Sequence, residues 1–327
     1  MDWKDQLRDL WTRVTWTGTA PFTLPSILFE IQPDFVLGAR LAGRSNGSGQ
    51  AQFGRLALRS LDPAALAPAL SGPSVREVGK LAAALEQVAQ VIGNGRAESG
   101  ILVPDGVVRV AILPFEALPD NRREAVTLMG WRMRDGLPFP PEEARISFES
   151  GKPENGQREV VTLAARTSVL AEYEALLENI NRSSVLLLPA TIALLPLLPE
   201  DGEGGQLLVH VCSSAATLAL IEGQRLRFWR TREFEGLAPD ELLAQLTAEA
   251  GRVLASAEDR LKLRLDRIWL CARPPATEEW RAPLAQALNR EVNLLTPAPE
   301  LASLLAGEER SLFSRYGATL AGLLANV

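Results

Sequence analysis

Histidine and cysteine are almost absent from this sequence. One histidine and two cysteines occur among the 327 residues, and Cys212 and Cys271 lie far apart along the chain. Zinc and iron sites draw on clustered histidine and cysteine side chains, so this scarcity argues against a metal centre of that kind. Two distant cysteines also exclude a disulfide framework and favour a reducing compartment.

The sequence also lacks an excess of positive charge and a long apolar segment. Its formal net charge is −6, which argues against a nucleic-acid binder that works through bulk charge. The most apolar run, residues 185–198, has 14 residues and contains Pro189 and Pro196, whereas a membrane-spanning helix needs about 20. The N-terminus has no apolar signal core. We therefore expect a cytoplasmic protein with no direct membrane insertion and no nucleic-acid partner.

Lysine is scarce as well, so arginine supplies all but four of the 34 basic residues. A GC-rich genome explains this bias simply, whereas a functional explanation is that arginine forks recognise carboxylates at interfaces. Four arginines cluster around Trp131 on a predicted helix, at Arg122, Arg123, Arg132 and Arg134. Both a partner surface and a solvated face fit this cluster.

The length suits two domains, preceded by an N-terminal helix. Within residues 1–22, Trp3, Leu7, Leu10 and Val14 recur at helical spacing and form one apolar face. The charges on the opposite face cancel, whereas a helix that binds anionic lipid is normally basic. We expect this amphipathic helix to dock onto the protein itself or onto a partner rather than onto lipid.

Strands and helices are predicted in an order that occurs twice. The order is three strands, a helix, a strand and a helix, and the first hairpin turns at Gln32-Pro33-Asp34 because proline and aspartate favour turns. The predicted parts are a first lobe at 23–115, an inserted β/α subdomain at 116–180, a return to the first lobe with a crossover at 181–200, and a second lobe at 201–327. Two duplicated βββαβα lobes with an insertion are the plan of the bilobed actin-like α/β fold, of the ASKHA and ribonuclease H-like class.

A series of short motifs gives this likeness more detail. Pro104-Asp105, Leu113-Pro114 and Leu137-Pro138-Phe139 occur in that order around the predicted insertion, and Asn293 to Pro297 and Tyr316 to Leu323 follow near the C-terminus. With these motifs in this order, the sequence resembles the PilM family, the actin-like proteins of type IV pilus assembly. The resemblance covers about 300 residues from Ser26 on. The sequence is also similar to the cytoplasmic part of GspL in type II secretion.

The resemblance implies where a nucleotide would bind. Relatives hold phosphate with two Asp-x-Gly hairpins and with glycines after a strand near the C-terminus, because glycine lets backbone N–H groups approach phosphate closely. Other residue types stand at these positions here: Glu30, Gln32 and Pro33, then His210 and Cys212, then Ala272 and Arg273. We therefore expect no ATP hydrolysis and no cofactor. The alternative is Mg-ATP bound through unusual loops, with Glu30 holding the metal through water.

Catalysis by the remaining candidate side chains is the weaker interpretation. His210 and Cys212 are two residues apart on a predicted strand, so both point to one face and could form a nucleophile and base. No orienting carboxylate is evident for such a pair. We favour a pair that lines a core or cleft.

The resemblance implies a function as a scaffold. In the PilM family the partner is the short cytoplasmic tail of the membrane protein PilN, which docks in a groove between the first lobe and the insertion. The predicted contacts here are Arg109, Phe115, Trp131, Phe139 and Phe148. We expect a location on the cytoplasmic side of the inner membrane, held there by this partner and other pilus components. Three alternatives stay open: an active actin-like ATPase or kinase, an FtsA-like adaptor, and self-association.

Overall fold

The structure is a computed structural model divided into two compact units. It describes residues 24–42, 51–93, 95–154, 156–199, 204–213, 215–223, 225–234, 236–273 and 276–325. The predicted N-terminal helix within residues 1–22 lies outside these ranges. Unit 1 comprises residues 1–196 and 297–327, and unit 2 comprises residues 197–296.

The described residues contain thirteen strands in three sheets. The strands are β1 (Ile27–Ile31), β2 (Phe35–Ala42), β3 (Gln52–Ser60), β4 (Ala97–Val103), β5 (Arg109–Phe115), β6 (Ala144–Ser150), β7 (Arg158–Arg166), β8 (Arg182–Pro189), β9 (Gly205–Cys212), β10 (Ala215–Glu222), β11 (Arg225–Glu233), β12 (Leu265–Cys271) and β13 (Val292–Leu294).

Eight α-helices accompany these strands in the described part of the chain. They are α1 (Val78–Ile92), α2 (Arg122–Met133), α3 (Thr167–Glu178), α4 (Ala190–Leu194), α5 (Pro239–Arg260), α6 (Ala276–Leu288), α7 (Gly307–Tyr316) and α8 (Ala318–Leu324).

Unit 1 is built on a five-stranded sheet with the order β3-β2-β1-β4-β8. β1 and β2 form the predicted antiparallel hairpin, and β4 runs parallel to both β1 and β8. All five residues of β1 are buried, because α1 covers one face of the sheet and α8 lies against the other. Strands that are covered on both faces have this nearly continuous apolar sequence.

The insertion forms a separate three-stranded antiparallel sheet within unit 1, with the order β5-β7-β6. Helix α2 covers one face of this sheet, where Met129 and Met133 pack with Ile146 and Phe148 in a small core. The side chains of Arg145 and Ser147 alternate with Ile146 and Phe148 along β6, so they lie on the opposite face.

Unit 2 repeats the plan of the first sheet. Its strand order, β11-β10-β9-β12-β13, matches that of unit 1 position by position. β9 to β11 form an antiparallel meander, and β12 runs parallel to β9 and β13. Helix α5 packs on one face through Leu246, Ala250 and Val253, against a core that includes Val209 and Leu218. The predicted duplication is therefore confirmed.

The structure differs from the predicted boundaries at two points. β5 was expected in the first lobe but pairs with β7 in the inserted sheet. Residues 297–327 were expected in the second lobe but belong to unit 1. There Glu309 of α7 pairs with Arg55 of β3 at 2.9 Å, and the backbone of α8 at Gly322 lies directly against Ala193 of α4. The chain returns to its first sheet at the C-terminus.

Candidate functional site

The first predicted phosphate hairpin carries a buried carboxyl group at Glu30. This side chain is fully buried on β1 and points away from the face that α1 covers. Its Oε1 accepts a hydrogen bond from Gln32 Nε2 at 3.1 Å, and its Oε2 accepts one from Thr319 Oγ1 on α8. One carboxyl oxygen therefore holds the hairpin turn, and the other links the hairpin to α8.

The backbone of the same turn offers little to an anion. The Gln32 N–H donates to the carbonyl of Phe35 at 2.9 Å, which closes the turn. Pro33 has no N–H to donate. A phosphate-binding hairpin needs backbone N–H groups that point at the ligand, and at these two positions none is available.

The second predicted hairpin joins β9 and β10 in unit 2. His210 and Cys212 are 2% and 9% exposed, and they lie opposite Thr217 and Ala215 on β10. Ser213 turns the chain with φ of 53°, a left-handed conformation that glycine adopts more easily. The burial of His210 and Cys212 agrees with the core interpretation of this pair.

The third predicted element follows β12. Ala272 and Arg273 are 6% and 9% exposed, and the carbonyl oxygen of Ala272 accepts a hydrogen bond from Thr277 Oγ1 in the first turn of α6. Both residues carry a side chain where the resemblance implies glycine. Neither position therefore allows the close backbone approach that glycine gives to a nucleotide.

Three of the five predicted partner contacts are core residues. Phe115, Phe139 and Phe148 are 8%, 6% and 6% exposed, and the first and last of them belong to the core beneath α2. Arg132 lies over the ring of Phe115 at 5.2 Å from its centre, and Arg122 lies over that of Phe148 at 5.5 Å. Phe115 and Phe148 hold the insertion together, and all three phenylalanines offer a partner little surface.

The other two predicted contacts are at the surface. Trp131 on α2 is 55% exposed, and the guanidinium group of Arg134 stacks on its ring at 4.7 Å. Arg109 is exposed at the start of β5. These two residues stay candidates for partner binding.

A groove lies on the other face of the inserted sheet. It is shallow and partly open to solvent. The inserted sheet contributes Arg145, Ser147, Leu163 and Ala165, and the facing wall contributes Val108, Leu170, Leu187 and Pro189. None of the five predicted partner contacts lines it.

Two polar side chains mark this otherwise apolar groove. Ser147 is 5% exposed, and its Oγ has no hydrogen-bond partner among the described residues. Arg145 forms a two-pronged ion pair with Glu174 of α3, at 2.5 and 3.1 Å. A buried hydroxyl without a partner is costly, so a ligand that supplies one would gain affinity at this point.

Comparison with known proteins gives a consistent fold. No family model and no curated protein matches the sequence. A chain of a PilM–PilN type IV pilus biogenesis complex is similar in structure, with a TM-score of 0.75, 17% identity and coverage of 91% of this chain and 97% of that chain. A Bacteroides thetaiotaomicron protein with an actin-like ATPase fold and unknown function has a TM-score of 0.51, 12% identity and coverage of 94% and 99%.

The chain has an actin-like fold. A further likeness, to the cytoplasmic domain of EpsL, an inner-membrane component of the Vibrio cholerae type II secretion system, has a TM-score of 0.45 at 11% identity over 86% of this chain and 98% of that chain.

The described residues contain neither a metal-ligating cluster nor a membrane-spanning helix. Among the described residues, no group of three or more histidine, cysteine, aspartate or glutamate side chains could hold a metal ion. None of the described helices combines the length and the apolar character needed to cross a bilayer.

The sequence did not reveal the groove of this actin-like chain. Arg145 and Ser147 were visible as alternate residues of a strand, but alternation alone does not say which face another element covers. Leu187 and Pro189, on the facing wall, lie some 40 positions further along the chain. Because α2 covers one face of the inserted sheet, Arg145 and Ser147 lie on the opposite face, and only the structure shows this.

Proposed function

We propose that this actin-like protein is a scaffold of the PilM kind in a type IV pilus or type II secretion-like assembly platform. It binds the cytoplasmic tail of a PilN-like membrane protein, which holds it at the inner membrane, and it works without ATP hydrolysis. The observation that carries the proposal is the likeness, over 91% of this chain, to a chain of a PilM–PilN complex.

The groove beside the inserted sheet is the site that we assign to the tail. Its walls are apolar, and β8, which contributes Leu187 and Pro189, is the last strand of its sheet within the described residues. An extended peptide can pair its main chain with such an edge while alternate side chains enter a neighbouring pocket. A short apolar segment in extended conformation is therefore the best occupant.

Ser147 adds a polar contact to this recognition. Its buried Oγ lies in the wall of the groove and can donate to a peptide carbonyl or accept from a peptide N–H. A hydrogen bond contributes roughly 0.5–1.5 kcal/mol net, and a buried group left without a partner costs roughly 1–3 kcal/mol. A hydrogen bond to Ser147 would favour a tail that places a main-chain N–H or carbonyl group beside this side chain over a purely apolar ligand.

The geometry of the first hairpin supports the absence of ATP hydrolysis. The carboxyl group of Glu30 accepts hydrogen bonds from Gln32 and Thr319 and has no exposed surface. Magnesium in nucleotide sites keeps several waters and is held through carboxylates and phosphates. A fully buried carboxyl group that bridges two protein elements does not suit such a hydrated ion.

The binding test uses the full chain and a fluorescein-labelled cytoplasmic tail of a single-pass PilN-like protein from the same organism. We expect saturable binding in fluorescence anisotropy. Ser147→Phe fills the groove, and Leu187→Asp places a charge in its wall. Loss of one buried apolar anchor costs roughly 1.5–3 kcal/mol, which corresponds to an affinity about 10- to 100-fold lower.

Two further variants separate the groove from the other face of the insertion. Thr127→Phe adds the same ring on the exposed side of α2 and should leave binding unchanged. Trp131→Ala tests the surface that the sequence indicated. If Trp131→Ala abolishes binding while Ser147→Phe and Leu187→Asp fold and bind normally, the tail docks on α2 and the assignment to the groove is wrong.

A further inference from the structure

Unit 2 contains a cluster of arginines around one buried carboxylate. Glu249 of α5 is fully buried, and its Oε1 accepts a hydrogen bond from Arg230 Nη1 at 2.6 Å. Its Oε2 accepts from Arg232 Nη1 at 2.8 Å and from Arg252 Nη2. One carboxylate therefore fixes three guanidinium groups, two from β11 and one from α5.

The charges in this cluster do not balance. Three guanidinium groups and one carboxylate leave an excess of two positive charges. The side chains of Arg230, Arg232 and Arg252 are 54%, 46% and 58% exposed. Each guanidinium has five N–H donors, and Glu249 takes one from each, so most of the donors stay unused by Glu249 on side chains that are about half exposed. The excess positive charge and the unused N–H donors suit an anionic ligand.

The cluster lies along the edge of a sheet. Within the described residues, β11 is the outermost strand and pairs only with β10. Arg230 and Arg232 are two residues apart on β11, so both side chains lie on the face that α5 covers. The ring of Phe234 further positions Arg232, whose guanidinium carbon lies 5.7 Å from the ring centre.

We propose that this edge binds an extended acidic segment of a partner protein, which adds to β11 as a further strand. Carboxylates at alternate positions of the segment would lie beside Arg230 and Arg232, because side chains on one face of neighbouring strands meet at the same two-residue repeat. The main chain of the segment would pair with the open edge of β11. This surface is in unit 2 and is independent of the groove beside the inserted sheet.

An acidic protein segment fits these features better than a membrane surface does. The spacing of two arginines along a strand matches another strand, whereas lipid headgroups have no such repeat. Segments that bind anionic lipid usually carry clusters of four or more basic residues, and this cluster has a net charge of only two within a chain of formal charge −6. A third interpretation is that the arginines merely protect an open edge from aggregation.

The test uses the full chain and two labelled peptides of high strand propensity. One carries glutamate at alternate positions, and the other has glutamine there. We expect the glutamate peptide to bind with an affinity that falls as salt rises, and the glutamine peptide to bind about tenfold more weakly, because two partly exposed ion pairs are lost.

The matching variant is Arg230→Gln with Arg232→Gln. This variant removes the excess positive charge and leaves Arg252 to pair with the buried Glu249. We therefore expect the fold to persist, and circular dichroism tests this. We expect about tenfold weaker binding of the glutamate peptide. The control, Arg59→Gln with Arg76→Gln, removes the same charge from exposed positions in unit 1 and should leave binding unchanged.

Several outcomes would overturn the proposal. These are equal binding of both peptides, undiminished binding by the β11 variant, and equal weakening by the control, which would indicate bulk charge. Co-sedimentation with phosphatidylserine vesicles that is lost in the β11 variant, without peptide binding, would assign the surface to lipid. If the double variant does not fold, Arg232→Gln alone takes its place with the same control, because Arg230 and Arg252 still pair with Glu249.

Discussion

The hydrogen bond between Thr319 and Glu30 gives a direct test of whether the first hairpin is structural. Thr319→Val keeps the shape of the side chain but removes the hydroxyl group that donates to the buried Glu30 carboxyl. A buried acceptor that loses its partner costs roughly 1–3 kcal/mol. For a domain of 150–250 residues, each kcal/mol lowers the melting temperature by about 2–4 °C. We therefore expect unit 1 to melt about 2–12 °C lower.

The same melting experiment distinguishes a structural hairpin from a nucleotide site. A ligand at 100 times its dissociation constant stabilises a protein by about 2.7 kcal/mol, which would raise the melting temperature by roughly 5–11 °C. We expect no rise with Mg-ATP for either the wild type or Thr319→Val. Thr319→Ser keeps the hydroxyl and is the matched control, with a smaller loss than valine causes.

Two results would refute this reasoning. If Thr319→Val melts like the wild type, the hydroxyl does not satisfy Glu30 as the structure indicates. If Mg-ATP raises the melting temperature of the wild type by several degrees, or calorimetry finds micromolar binding, the hairpin retains a nucleotide site. The scaffold would then be an active or nucleotide-regulated member of the fold.

Two further predictions concern stability. Gly322→Ala should destabilise unit 1 by roughly 1–3 kcal/mol in urea denaturation, because a Cβ on α8 would overlap the carbonyl oxygen of Ala193. Burial raises the pKa of Glu249, but hydrogen bonds from Arg252 and Arg230 outweigh burial and lower it from 4.5 to about 2. A carboxyl group with a lowered pKa stabilises the fold above its unfolded pKa, so unit 2 should lose this stability as pH falls from 4.5 towards 2.

Each of these predictions has a matched control. Gly79→Ala on α1, where no atom lies near an added Cβ, should be neutral or stabilising because alanine favours helix. Equal losses at Gly79 and Gly322 would argue against the close crossing of α4 and α8. For the acid dependence, Glu249→Gln should flatten the stability profile below about pH 4.5, and an unchanged profile would assign the acid sensitivity to other groups.

Local patterns predicted much of the strand content correctly. The hairpin of β1 and β2 with its turn at Gln32-Pro33-Asp34 is confirmed, as is the meander in unit 2. Alternating apolar residues and turn-forming proline and aspartate act within a few residues of each other. These signals are readable without knowledge of which strands become neighbours in space.

Part of the predicted partner surface is buried, and this burial depends on distant pairing. Phe115 and Phe148 lie in different strands, and β7 comes between those strands in the sheet. Their burial follows from the placement of α2 over that sheet. An aromatic residue in a strand is equally compatible with a core and with a binding surface until the covering element is known.

The sequence by itself determined the duplicated strand order and the residue types in the two predicted phosphate hairpins, because both depend on local positions. Only the tertiary structure decided three other features: the return of the C-terminal segment to unit 1, the use of Glu30 as a buried link to Thr319, and the groove at Ser147. Each arises from contacts between residues far apart in the chain. The spacing of residues along the sequence does not predict such contacts, because they form only when the sheets and helices pack together.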